Sequence, residues 1–162
     1  MNFVANSIIE IKILAHFDGK LPLPKYASSG ASGADLCLSL PESERHLGLE
    51  LGPWEKKLLP TGISLQIPNG LEGQIRPRSG LSLKTSLVIV NSPGTIDADY
   101  RGEVFILAAN YSHLPLQLEH GLRIAQLVIA PVVQCEFLSV NDFSEKTTRG
   151  VMGFGSTGEK WN

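Results

Sequence analysis

GISLQIPNG, Gly62 to Gly70, sets Ile63, Leu65 and Ile67 on one side of an extended chain and then breaks at Pro68, Asn69 and Gly70. Side chains of a strand alternate between faces, so apolar residues two apart build a single buried face. A short alternating run closed by turn formers reads as a half-buried strand. The same spacing recurs outward along the chain: Ile9/Ile11/Ile13 with Glu10 and Lys12 opposite, Leu36/Leu38/Leu40, Leu47/Leu49/Leu51 and Leu114/Leu116/Leu118. Two further runs, Val104 to Ala109 and Ile124 to Val133, are apolar on both faces and should be covered twice, by a second sheet or by another subunit. Only SGLSLKTS, Ser79 to Ser86, suits a short helix, with Ser79 placed as its cap. Ten prolines and sixteen glycines punctuate the rest, so the expectation is an all-β sandwich, barrel or jelly roll in a single domain.

The chain has 162 residues, enough for a substantial core. Its net charge of −2 argues against a protein built to grip nucleic acid or an anionic membrane. Cys37 and Cys135 are too few for a disulfide framework and wrongly spaced for zinc; both sit among alternating apolar residues and read as buried reduced thiols. The opening MNFVANSIIEIKIL lacks a basic region followed by a long apolar stretch, and no run reaches membrane-spanning length. A reducing, cytoplasmic location is expected. The histidines at 16, 46, 113 and 120 show no metal-ligand spacing and read as surface or structural.

Five stretches carry polar chemistry. In VNSPGTIDADYRGEV, Asp97 and Asp99 alternate on one side of a hairpin beside Tyr100. They offer a general base or a metal ligand, or else they simply pair with Arg101. In RPRSGLSLK, Arg78, Ser79 and Gly80 lead into the helix, either as an anion site or as surface charge beside a cap. In ASGADLCL, Asp35 stands at the edge of a turn, as an Asx-type cap or as an outer-shell acid for a metal. Gln126, on the apolar run GLRIAQLVIAP with Arg123, needs a hydrogen-bond partner, which backbone of a neighbouring strand could supply.

The fifth stretch is the terminal RGVMGFGSTG, Arg149 to Gly158. It imitates the dinucleotide fingerprint and the P-loop, but no helix can follow it, and Ser156 stands where the P-loop needs lysine. Its chemistry still suits an anion and a ring: glycine amides that can converge, hydroxyls at Ser156 and Thr157, a forked donor in Arg149 and an isolated Phe154. Either it is an idle tail, or it becomes ordered only around something else.

Taken in chain order, ASGADLCL, RPRSGLSLK, NSPGTIDADYRGEV, GLRIAQLVIAP and RGVMGFGSTG resemble the five motifs of the trimeric dUTPase family, over most of the chain. The resemblance implies a distorted β jelly roll with one short helix, residues 1–148, and a flexible Gly-rich arm, residues 149–162, closing over a neighbouring subunit's site in a homotrimer. It implies hydrolysis of dUTP to dUMP and pyrophosphate with Mg²⁺. Asp97 would orient and deprotonate the attacking water, and Tyr100 would pack on the deoxyribose. Asn91 and the hairpin backbone, with Gly94, Thr95, Ile96 and Phe105, would read uracil. Arg78, Ser79, Gly80 and Gln126 would hold phosphates. Asp35 would orient waters on the magnesium ion, with Gln126 assisting. Phe154 would stack on uracil while Arg149, Gly155, Ser156 and Thr157 wrap the phosphates.

The arm departs from the family's R-G-x-G-G-F-G-S-T-G at Met152, which replaces a glycine and implies an arm that binds with altered closure. Two rivals differ in class. A dCTP deaminase-like relative would need a glutamate near the position of Leu107, and a non-catalytic jelly-roll module would need no base at Asp97.

Overall fold

A computed structural model describes residues 7–151. Its ten strands and one α-helix run in the order β1 (Glu10–Ile13), β2 (Ala34–Cys37), β3 (Leu49–Leu51), β4 (Lys56–Gln66), β5 (Leu71–Arg76), α1 (Ser79–Lys84), β6 (Leu87–Ile89), β7 (Gly94–Ile96), β8 (Glu103–Asn110), β9 (Leu116–Leu118) and β10 (Arg123–Pro131). All the ladders are antiparallel. There are two four-stranded sheets, β1-β4-β8-β6 and β2-β10-β5-β7, and a separate two-stranded β3-β9 pair. This is the jelly-roll type of all-β architecture with one short helix.

The alternation does what its period requires. Ile63 and Leu65 of β4, Val104 and Ile106 of β8, and Leu36, Ile75 and Leu127 of the other sheet all enter one core cluster. Each is nearly or fully buried, and burial of such side chains contributes about 1.5–3 kcal/mol apiece relative to exposure.

Several expectations need correction. α1 is capped by the extended backbone of Arg78 with no side-chain hydrogen bond, so Ser79 lies inside the first turn and is not the cap. Leu47 and Leu114 fall outside their strands and are exposed, because Gly48 at φ +71° turns the chain and β9 begins only at Leu116. β10 stops at Pro131, and among the described residues no strand or helix follows. Cys135, beyond that point, is therefore exposed in the single chain rather than buried. Cys37 is half-buried; burial pushes its thiol above the ordinary range, and the carboxylate of Asp35 adds to the shift.

Within the single chain the doubly apolar β8 is covered on one face only. Val104, Ile106 and Ala108 enter the core, while Phe105 and Leu107 face a cavity.

Candidate active site

β7 ends at Ile96, and the amide of Tyr100 donates to the Asp97 carbonyl at 3.1 Å, so residues 97–102 form the turn into β8. The two aspartates therefore do not share a strand face. Asp97 borders two hollows, and Asp99 borders only the second and more polar one. Arg101 pairs with neither acid; its guanidinium donates to the carbonyls of Ala98 and Tyr100 and stiffens the turn.

The first hollow has a volume of about 320 Å³. It gathers Asn91, Gly94, Thr95, Ile96, Asp97, Tyr100 and Phe105, every hairpin residue to which the family resemblance gives a role, while Asp99 stays outside it. Leu58, Ile75, Glu103 and Leu107 complete it. Backbone pairing holds the strand on which these residues sit, since Gly94, Thr95 and Ile96 face Ile75, Gln74 and Gly73 of β5. Asn91 lies against Gly94, where a Cβ would come within 3.1 Å of its Nδ2. The Tyr100 hydroxyl donates to the Glu103 carbonyl at 3.0 Å. Leu58, Ile75, Phe105 and Leu107 make the lining apolar in part, and Asp97 adds a carboxylate, which suits a polar ring beside a reacting group. Leu107 in that lining leaves no glutamate at the position a deaminase would use.

A second cluster forms on β2, β10 and the segment after β5. Register explains it. Gln126 stands opposite Asp35 on one side and Arg76 on the other, and residues opposite each other in a ladder project to one face. Asp35 neither caps a turn nor stands alone. Its Oδ1 accepts from Arg78 Nε at 2.7 Å and its Oδ2 from Arg123 Nη1 at 2.9 Å. Arg78 also donates to the Arg123 carbonyl at 3.1 Å. Two guanidinium groups on one carboxylate leave a net positive charge, fixed in orientation, where an anion can bind. Ser79 and Gly80 open α1 beside it, both exposed. Gln126 finds its partner in the Pro77 carbonyl at 2.9 Å, which holds the approach to Arg78 in place. Its amide oxygen lies over Gly33, in the space that a Cβ there would occupy.

The second cluster does not line the first hollow in the single chain: Arg78, Ser79, Gly80, Gln126 and Asp35 are absent from its wall. Arg149 is described and exposed, while Phe154, Gly155, Ser156, Thr157 and Met152 lie outside the described residues. Sequence reasoning gave no role to Glu103, Leu58 or Arg123. For Glu103 a signal was available, since it stands two and four residues before Phe105 and Leu107 and so shares their face.

Among the described residues no group of three His, Cys, Asp or Glu side chains could hold a metal directly. With both Asp35 oxygens taken by arginine, the donor set suits a hydrated ion met through its waters better than a protein-caged one.

The model of the dUTPase family matches residues 19–158. A deoxyuridine 5'-triphosphate nucleotidohydrolase of Chlamydia abortus is 51% identical over 150 residues, covering 91% of this chain and 99% of the relative. Among solved structures, the dUTPase of Staphylococcus bacteriophage 80alpha with dUpNHpp superposes with a TM-score of 0.81 at 29% identity, covering 94% of this chain and 99% of that one. A point mutant of the dUTPase from phage phi11 of S. aureus, described with a structural Mg(II) ion, reaches 0.72 at 26% identity, covering 85% and 99%.

Proposed function

The chain belongs to the dUTPase family, and on that premise we propose that it hydrolyses dUTP to dUMP and pyrophosphate by attack of water on the α-phosphorus. The observation that carries the reading is the gathering of Asp97, Asn91, Gly94, Thr95, Ile96, Tyr100 and Phe105 around one hollow. The hairpin backbone, held by β5, reads the donor–acceptor edge of uracil, which is reversed in cytosine. Phe105 and Leu107 support the ring. Tyr100 packs on the deoxyribose, where a ribose 2′-hydroxyl would collide with it.

Asp97 takes the proton of the attacking water as its oxygen closes on the α-phosphorus; the bond to the bridging oxygen breaks, and pyrophosphate leaves. Holding that water and phosphorus in line is the larger part of the catalysis. Arg78, fixed by Asp35, neutralises charge on the phosphate oxygens together with Ser79, Gly80 and Gln126. Mg²⁺ bound to the triphosphate, with Asp35 and Gln126 contacting its waters, would supply further charge neutralisation.

The site is completed by other copies of the chain, as a homotrimer. Two features support this: the separation of the two clusters within one chain, and the apolar side chains of Val133, Phe137, Leu138 and Phe143, which are 80% or more exposed in the single chain. Arg149, Phe154, Gly155, Ser156 and Thr157 would close a neighbour's site. Neither nucleic acid nor membrane is a partner in this reading. Among the described residues no helix is long and apolar enough to cross a membrane, and we place the enzyme in the cytoplasm.

The assay that tests this follows pyrophosphate release from dUTP, UTP and dTTP with and without Mg²⁺. Turnover of dUTP should exceed that of either competitor by at least about a hundredfold and fall when Mg²⁺ is chelated. Equal turnover of UTP, or ammonia released from dCTP, would contradict the reading.

A further inference from the structure

The ladder between β4 and β8 is broken between Pro60 and Ser64, and Gly62 within the break has φ +71°. Backbone groups there need other partners. Side chains provide them. Thr61 Oγ1 donates to the Val104 carbonyl at 2.6 Å, and the Gly62 amide donates to Glu103 Oε1 at 2.8 Å. The same carboxylate oxygen meets His16 Nε2 at 3.0 Å. The two side chains are 29% (His16) and 11% (Glu103) exposed, so water competes weakly for the contact.

His16 is itself held. Its carbonyl accepts from Arg45 Nη2 at 3.1 Å, and the Leu14 amide donates to the Gly62 carbonyl at 2.9 Å. The loop crosses so close that a Cβ on Gly62 would stand 2.9 Å from Phe17 Cα. The N-terminal loop thus grips the first residue of β8. That residue's carbonyl in turn holds the Tyr100 hydroxyl. Tyr100 is 42% exposed, so core packing does not immobilise it. Its ring rests against Gly102, where a Cβ would collide with the hydroxyl oxygen.

We propose that His16 is a positioning residue: acting through Glu103, it fixes the Tyr100 ring and thereby sets the selectivity for a deoxyribonucleotide over a ribonucleotide. This rests on the reading above that Tyr100 packs on the sugar. A ring rejects a 2′-hydroxyl only if it cannot retreat. Loosening its anchor therefore helps UTP while it weakens dUTP binding, an opposite-signed signature that simple destabilisation does not produce.

The experiment compares kcat and KM for dUTP and UTP in the parent, His16→Ala, His16→Gln, Glu103→Gln and Tyr100→Phe, and in the double variant of His16→Ala with Tyr100→Phe. In His16→Ala the dUTP/UTP ratio of kcat/KM should fall about tenfold, through a higher KM for dUTP and a faster reaction with UTP. His16→Gln, which keeps an N–H donor, should recover most of the ratio. Glu103→Gln, which keeps the acceptor for Gly62 but weakens the contact with His16, should lose about threefold; it also serves if His16→Ala does not fold. The double variant should lose no more than Tyr100→Phe alone. An unchanged ratio in folded His16→Ala, or a parallel fall for both substrates, would overturn the inference. A parent inactive on dUTP would instead overturn the functional reading beneath it.

Discussion

Asp97→Asn is expected to lower kcat for dUTP by about a thousandfold, the range typical for loss of a positioned general base. The affinity for dUpNHpp should stay within about threefold of the parent, because asparagine keeps the shape and one oxygen and removes only the basicity. The fold should not notice. Among the described residues the Asp97 side chain makes no ion pair and accepts no hydrogen bond, and it is exposed at the rim of the hollow. A carboxylate uninvolved in the fold is free for chemistry, and its substitution should leave the thermal midpoint within about 2 °C. Single-turnover hydrolysis, equilibrium binding and thermal melting together check the claim. Full activity in Asp97→Asn would remove it as the base, and lost binding would make it a binding residue instead.

Asn110→Ala should have the largest effect on stability, about 3 kcal/mol or more. Asn110 is fully buried at the end of β8. Its amide nitrogen donates to the carbonyls of Leu51 and Gly52 at 3.1 Å and of Leu114 at 2.7 Å. Its amide oxygen accepts from Ser86 Oγ at 2.6 Å and Ser112 Oγ at 2.9 Å. One side chain thereby ties β3, the approach to β6 and the loop before β9 to the end of β8. Alanine would strand these groups around a void, and each unsatisfied buried group costs about 1–3 kcal/mol. The melting midpoint should fall by roughly 10 °C, at about 2–4 °C per kcal/mol for a chain of this size. Asn110 stands five residues along β8 from Phe105, roughly 17 Å at strand rise, so KM for dUTP measured well below the midpoint should change little. A midpoint shift under about 2 °C would show that water replaces the lost partners.

The strands were legible because alternation is a local property. Ile63, Leu65 and Ile67 declare their buried face without reference to any partner. The hairpin was legible for a similar reason: one short stretch holds the turn, Asp97 and Tyr100 together. What sequence could not reveal were pairings set by topology. His16 and Glu103 lie 87 residues apart, and only the crossing of the N-terminal loop over Gly62 brings them into contact. Asp35 offered a plausible cap, yet two arginines from different segments claim both its oxygens. Asn110 was given no role from sequence, and its role appears only when three other segments converge on it. Cys135 is exposed in the single chain because apolar neighbours imply burial only where a partner surface exists, and β10 has already ended. Arg101 shows the same limit on a smaller scale, since nearby carbonyls outcompete the acids expected to pair with it.

Water held in the hollow beside Asp97 should attack the phosphorus nearest the sugar. Hydrolysis of dUTP in H₂¹⁸O, with both products analysed by mass spectrometry, tests it most directly. One ¹⁸O atom is expected in the phosphate of dUMP and none in pyrophosphate. Label in pyrophosphate would place the attack on the β-phosphorus and contradict it.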